Sequence, residues 1–91
     1  MRVRFFAQIR NITGCVEADI SYEESVGSLA RSLCDIYGEK MREKIFPHAD
    51  MQISAEIIIL INGRHISHLG GVAASLKPDD RVDVFPVVAG G

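Results

Sequence analysis

One stretch of this chain has the period of a long helix. Val26, Leu29, Ala30, Leu33, Cys34 and Tyr37 fall at i, i+3, i+4, i+7, i+8 and i+11, which draws a single apolar stripe. Ser25 stands where an N-cap belongs, Glu23 and Glu24 lie near the positive end of the helix dipole, and Gly38 follows as a stop. A lone stripe must be buried against something. With no second long helix to meet it, it needs a sheet, and the other apolar runs have to supply the strands. Cys34 lies within the stripe and reads as a small core residue.

Residues 2–9 alternate, with Val3, Phe5 and Ala7 on one face and Arg4, Phe6 and Gln8 on the other. Phe6 is out of place on a polar face. Residues 10–14 have the composition of a turn, and residues 15–20 alternate again with Val16, Ala18 and Ile20 inward. These two strands are expected to form an antiparallel hairpin. Met41, Ile45 and Phe46 outline a short second helix that stops before Pro47, with Glu39, Lys40, Arg42 and Glu43 on its solvated side. Residues 56–61 are the strongest strand, apolar on both faces, so it is either covered twice or part of an interface. Asn62-Gly63 is the pair preferred in type I′ hairpins, and residues 64–66 would be the short returning strand. After a turn at Lys77-Pro78-Asp79-Asp80, residues 81–87 form the last strand. There Val82 and Val84 share one face, Asp83, Phe85 and Val87 share the other, and pairing fades at Pro86.

Strand, strand, helix, short elements, strand, short strand, strand is the order of an α+β chain with one main helix packed on one face of a mixed sheet. The first and last strands then lie side by side at the centre, which is the β-grasp, or ubiquitin-like, arrangement. At 91 residues there is room for one core, so the expectation is a single β-grasp domain over 1–91 with a flexible Gly-Gly tail from about residue 86.

Composition narrows function by exclusion. Ten basic residues are scattered among twelve acidic ones for a net charge of -2, with no basic stripe, so no nucleic-acid partner is expected. The longest apolar run is far too short for a bilayer and the first residues lack the apolar segment of a signal peptide, so no membrane is expected and the location reads as cytoplasmic. Two cysteines do not make a disulfide framework. His65 and His68 offer two ligands where a zinc site needs about three, so no metal is expected. The acid pairs Glu23-Glu24 and Asp79-Asp80 are explained by capping and turn chemistry. Gly70-Gly71 lacks the spacing of a phosphate loop. No constellation reads as an active site of the chain's own.

The sequence closes on Val87-Val88-Ala89-Gly90-Gly91. Six residues past Phe85 can reach roughly 20 Å when extended. Two glycines carry no side chain and tolerate backbone conformations closed to other residues. Such a tail can thread a narrow channel in a partner and present its carboxylate there. A carboxylate is a poor electrophile until one oxygen becomes a leaving group; transfer to ATP makes it an acyl-adenylate, open to a sulfur or amine nucleophile. A frayed terminus gives the same glycines, and it is the β-grasp body before them that favours the chemical reading.

Phe5-Phe6-Ala7-Gln8-Ile9-Arg10, Asn62-Gly63 and the closing run from Asp80 through Phe85-Pro86 to Gly90-Gly91 resemble the small, sulfur-carrying subunit of molybdopterin synthase, among the ubiquitin-like sulfur carriers. Three places depart from that pattern: residues 41–55 are longer, the usual Asp-Gly-Asp turn reads Pro78-Asp79-Asp80, and the second proline of a usual Pro-Pro pair is Val87. The resemblance implies a cycle. An adenylating enzyme of the ubiquitin-activating type uses ATP and magnesium on the Gly91 carboxylate, and no cofactor stays bound. A sulfur-donor protein converts it to a thiocarboxylate. The tail enters the large synthase subunit, and sulfur passes to the pterin precursor of the molybdenum or tungsten cofactor. Gly91 then carries the chemistry, Gly90 is the slender neck, and Pro86, Val87, Val88 and Ala89 belong to the partner-binding linker. Phe6 and Phe85 form an apolar docking patch opposite the helix, unless the segment 39–56 covers them. A protein modifier joined through Gly91, a carrier for transfer-RNA or thiamine thiolation, and a plain interaction module are the competing readings.

Overall fold

The computed structural model describes residues 1–48 and 52–87. The element order is β1 (Arg2–Phe5), α1 (Gln8–Thr13), β2 (Glu17–Asp19), α2 (Val26–Tyr37), α3 (Glu39–Ile45), β3 (Ile57–Ile61), β4 (Arg64–His65), 3-10 turns at Ile66–His68 and Gly71–Ala73, and β5 (Arg81–Pro86). The five strands make one sheet in the order β2-β1-β5-β3-β4. β1 and β5 are parallel at its centre, with Arg2 opposite Arg81 and Phe5 opposite Val84. The β1–β2, β5–β3 and β3–β4 pairs are antiparallel. This is the mixed sheet of a β-grasp fold, with the main helix where the stripe requires it.

That stripe is buried: Val26, Leu29, Ala30, Leu33 and Cys34 meet Val3 and Phe5 of β1, Val82 and Val84 of β5, and Ile57, Ile59 and Ile61 of β3 in one cluster. Each such aliphatic side chain contributes roughly 1.5–3 kcal/mol on leaving water. Ser25 caps α2 as expected, its hydroxyl accepting from the Ser28 N–H while Ser28 Oγ accepts from the Ser25 N–H. Gly38 ends α2 at a φ of 85°. The short α3 forms as its charge pattern predicts and sends Met41 and Ile45 into the same core, followed by Phe46. Asn62 and Gly63 have φ values of 51° and 86°, the positive pair that a type I′ hairpin demands.

Four expectations need correction. β1 ends at Phe5, and residues 8–13, read as strand and turn, are the helix α1. The Phe6 N–H still donates to the Val84 carbonyl, and then Ala7 turns the chain at a φ of 51°. Ile9 is thereby delivered to the core from a helix, and Ala7, expected inward, is exposed. Val16 is also turned out (56% exposed), because β2 starts only at Glu17 and residues 14–16 form a bend. The returning strand β4 is two residues long, since Ile66 already opens a 3-10 turn that buries it. Asp83, placed on the open face by period, is buried at 4% exposure. Among the described residues no helix is long and apolar enough to cross a membrane.

Candidate functional site

Among the described residues the sheet's second face carries no helix, and its period-two partners follow from the register. Beyond β1, Phe6 shares a side with Arg2 and Arg4; on β5 the same side holds Arg81, Asp83 and Phe85. Ile58 lies opposite Phe85 and Leu60 opposite Asp83. Phe6, Phe85, Ile58 and Leu60 are all half-buried. The rings of Phe6 and Phe85 stack, with centroids 4.2 Å apart and planes 10° apart. The segment carrying α3 goes to the helix side, where Met41 and Ile45 are buried with Val3 and Phe5, so the described part of 39–56 adds its apolar residues to the core.

Charge is arranged around this stack. Arg4 donates from Nε to Asp83 Oδ1 at 2.7 Å and from Nη2 to Oδ2 at 3.0 Å, a two-pronged bond across the central strand pair. The hydrogen bond to Asp83 pushes the Arg4 guanidinium above its ordinary pKa, and the Asp83 charge adds to the effect. Asp83 can be buried because both of its oxygens are answered. Arg10, at the start of α1, donates from Nε to the Phe5 carbonyl at 2.8 Å. The guanidinium carbons of Arg4 and Arg10 each lie 5.5 Å from the Phe6 ring centroid. Sequence reading missed Arg4, Arg10 and Asp83. Only the matching offset of Arg4 and Asp83 on two paired strands signals them, and that pairing is invisible before the topology is known.

β5 leads out of this face. Pro86 is paired with Ile57 but has no N–H, and Val87 then donates to the Glu56 carbonyl at 2.7 Å. Val87 is exposed. Phe6 and Phe85 are therefore brought together at one end of the open face, and Pro86 and Val87 follow Phe85 out of the sheet there, Pro86 with the opposite parity. Val88, Ala89, Gly90 and Gly91 lie outside the described residues.

The other candidates are placed elsewhere. His65 and His68 have ring centroids 6.4 Å apart, and His65 Nδ1 accepts from the Ser67 N–H at 3.0 Å. Among the described residues no group of three or more His, Cys, Asp or Glu converges as a metal would need. Asp80 serves its turn, with Oδ1 accepting from Asn62 Nδ2 and Oδ2 from the Lys77 N–H. Burial pushes the Cys34 thiol up, and burial beside Cys15 does the same to the Tyr37 phenol. A surface cleft of about 520 Å³, lined by residues that include Ile53, Ile57, His65 and Val72, contains none of the docking residues.

The ThiS family matches residues 3–91. This chain belongs to the ThiS family. Small archaeal modifier protein 3 of Haloferax volcanii is 34% identical over 93 residues, which cover 100% of this chain and 98% of the modifier. A putative sulfur carrier protein of Archaeoglobus fulgidus is 33% identical over 91 residues, covering 100% of this chain and 98% of the carrier. The solution structure of small archaeal modifier protein 1 from Methanosarcina acetivorans superposes with a TM-score of 0.87 at 35% identity, covering 99% of this chain and 94% of that one. Relatives of this chain are thus named both as modifiers and as a putative sulfur carrier.

Proposed function

We propose that this chain is a sulfur carrier that works through the Gly91 carboxylate. The observation that supports it most is the reach of the ThiS family match, which runs over residues 3–91 and so includes Gly90 and Gly91. An adenylating enzyme, using ATP and magnesium, joins AMP to the carboxylate and releases pyrophosphate. Sulfur from a donor protein at the persulfide level displaces AMP, and a thiol cleaves the resulting S–S bond to leave the thiocarboxylate. The catalytic groups of these steps belong to the partners. Phe6 and Phe85 supply the docking patch, Pro86 and Val87 lead out of the sheet, and Val88, Ala89 and Gly90 form the threaded linker. The destination we propose is the pterin precursor of the molybdenum or tungsten cofactor, reached through the large subunit of molybdopterin synthase in the cytoplasm. A modifier function through the same carboxylate is the second reading, favoured by the 34% identity to a named modifier.

Intact mass after incubation with the host's adenylating enzyme, ATP, magnesium and a sulfur donor tests the carrier step. The expected result is a gain equal to replacing one oxygen by sulfur, absent when Gly91 is deleted. No gain, with the enzyme proven active on another carrier, overturns it. Turnover of the thiocarboxylate by the large synthase subunit tests the destination, and a ladder of covalent adducts on lysines marks the modifier reading.

A further inference from the structure

The turn between β3 and β4 is built from a chemically fragile pair. The side-chain amide carbon of an asparagine is an electrophile, and the next backbone nitrogen can attack it. Glycine leaves that nitrogen unshielded, because it has no side chain. The chain has two asparagines: Asn11 precedes Ile12, whose β-branched side chain crowds the approach, and Asn62 precedes Gly63. Asn62 and Gly63 are both exposed, and a Cβ at Gly63 would meet nothing within 4 Å, so water reaches the pair. The reaction needs no partner but water. The Gly63 nitrogen bonds to Asn62 Cγ, the Cγ–Nδ2 bond breaks, and ammonia leaves with the proton of the Gly63 N–H. Water then opens the cyclic imide at either carbonyl and leaves an aspartyl or isoaspartyl residue at position 62.

The fold engages the reacting group elsewhere. Asn62 Nδ2 donates to Asp80 Oδ1 at 2.8 Å, and Asn62 Oδ1 accepts from the Arg81 N–H at 2.9 Å. The Asn62 N–H donates to the Arg81 carbonyl at 2.8 Å, and Asp80 Oδ2 accepts from the Lys77 N–H at 2.8 Å. Both polar atoms of the amide are thus taken, one as donor and one as acceptor. To present its carbon to the Gly63 nitrogen, the side chain has to leave both partners. That is a local opening, and the reaction then proceeds in proportion to the open fraction. The product no longer fits. A carboxylate has no donor for Asp80 and sets like charge against like where Nδ2 stood. The isoaspartyl form also adds a carbon to the main chain inside a turn whose φ values are 51° and 86°.

We propose that Asn62 is a spontaneous modification site kept latent by its clamp to Asp80 and Arg81, deamidating when the hairpin opens and leaving a carboxylate that the clamp rejects. The same amide that joins the hairpin to the start of β5 is therefore the group whose loss unjoins them. Each excursion through the open state converts a share of the chains, and a converted chain opens more readily than the one it came from.

The experiment follows position 62 by mass spectrometry of the tryptic peptide ending at Arg64, in wild type kept folded and in wild type held unfolded in guanidinium chloride at the same pH and temperature. Asn11, in a separate peptide, is the control. The expected result is conversion at Asn62 roughly tenfold or more slower in the folded chain, with little conversion at Asn11 in either state. Equal rates at Asn62 in the two states overturn the protection. No conversion at Asn62 in the unfolded chain, or conversion no faster than at Asn11, overturns the site. Asn62→Asp stands for the aspartyl product, and its urea midpoint should fall below that of the wild type at unchanged slope. Adding Asp80→Asn returns a donor to the pair with the roles exchanged and should recover most of the loss. A wild-type midpoint in Asn62→Asp, or a double variant no better than the single one, overturns the clamp. No partner protein enters these measurements, so their outcome is independent of the carrier reading.

Discussion

The two faces of the sheet solve different problems with the same strands. The helix-side face is uniformly apolar: Val3, Phe5, Ile57, Ile59, Ile61, Val82 and Val84 are all buried against α2 and α3. The open face is a composite, with an aromatic stack at one end and the Arg4–Asp83 bond at the centre. Hydrophobic burial on the first face is non-directional, and many sequences can satisfy it. The second face depends on particular pairings, Phe6 with Phe85 and Arg4 with Asp83. Stability should therefore reside mainly on the helix side and recognition on the open side.

Neighbouring phenylalanines give the sharpest contrast. Phe5→Ala empties the core and should cost about 3–5 kcal/mol, read as a lower urea midpoint at unchanged slope. Phe6→Ala, one residue on, removes a half-buried stack and should cost about 1–2 kcal/mol, while raising the KM for the adenylating enzyme roughly tenfold. If Phe6→Ala destabilises as much as Phe5→Ala, the division between the faces fails. Ser25→Ala is smaller still. It removes the cap of α2 and should cost about 1 kcal/mol with sulfur acceptance intact, because the cap supports only the helix side.

The weakest effect is in pH. Burial raises the folded Cys34 thiol above its ordinary value, whereas the unfolded thiol titrates near about 8.5. Holding the proton in the fold stabilises it, so this contribution is complete below about pH 8.5 and is lost as pH rises through the higher folded value. Cys34→Ala should flatten the fall in urea midpoint on the alkaline side relative to wild type. Tyr37, raised in the same direction, leaves a residual slope.

The helix side was readable from sequence because period alone defines it. The α2 stripe, its Ser25 cap, the strand at 57–61 and the Asn62-Gly63 turn all announce themselves within a few residues. The open face was legible only in its aromatics. Arg4 and Asp83 are separated by 79 positions, and nothing local ties them. The helix α1 was hidden for a related reason: Phe5-Phe6-Ala7-Gln8 alternates like a strand, and the reversal comes from one positive φ at Ala7, a residue type that gives no turn signal. Asn62 carries more than its turn type declares, since its Oδ1 also accepts from the Arg81 N–H and joins the hairpin to the start of β5.

The parallel pairing of β1 with β5 has a consequence for how the protein comes to exist. The middle of the sheet joins residue 2 to residue 81 and residue 5 to residue 84. Contacts so distant in sequence make folding slow and defer it until the last strand has emerged from the ribosome. A nascent or prematurely terminated chain that ends before β5 has no central strand, no partner for Phe6 and no Asp83 to hold Arg4. The docking face is thus a certificate of late-stage synthesis: a partner that reads it engages only chains translated at least through Phe85.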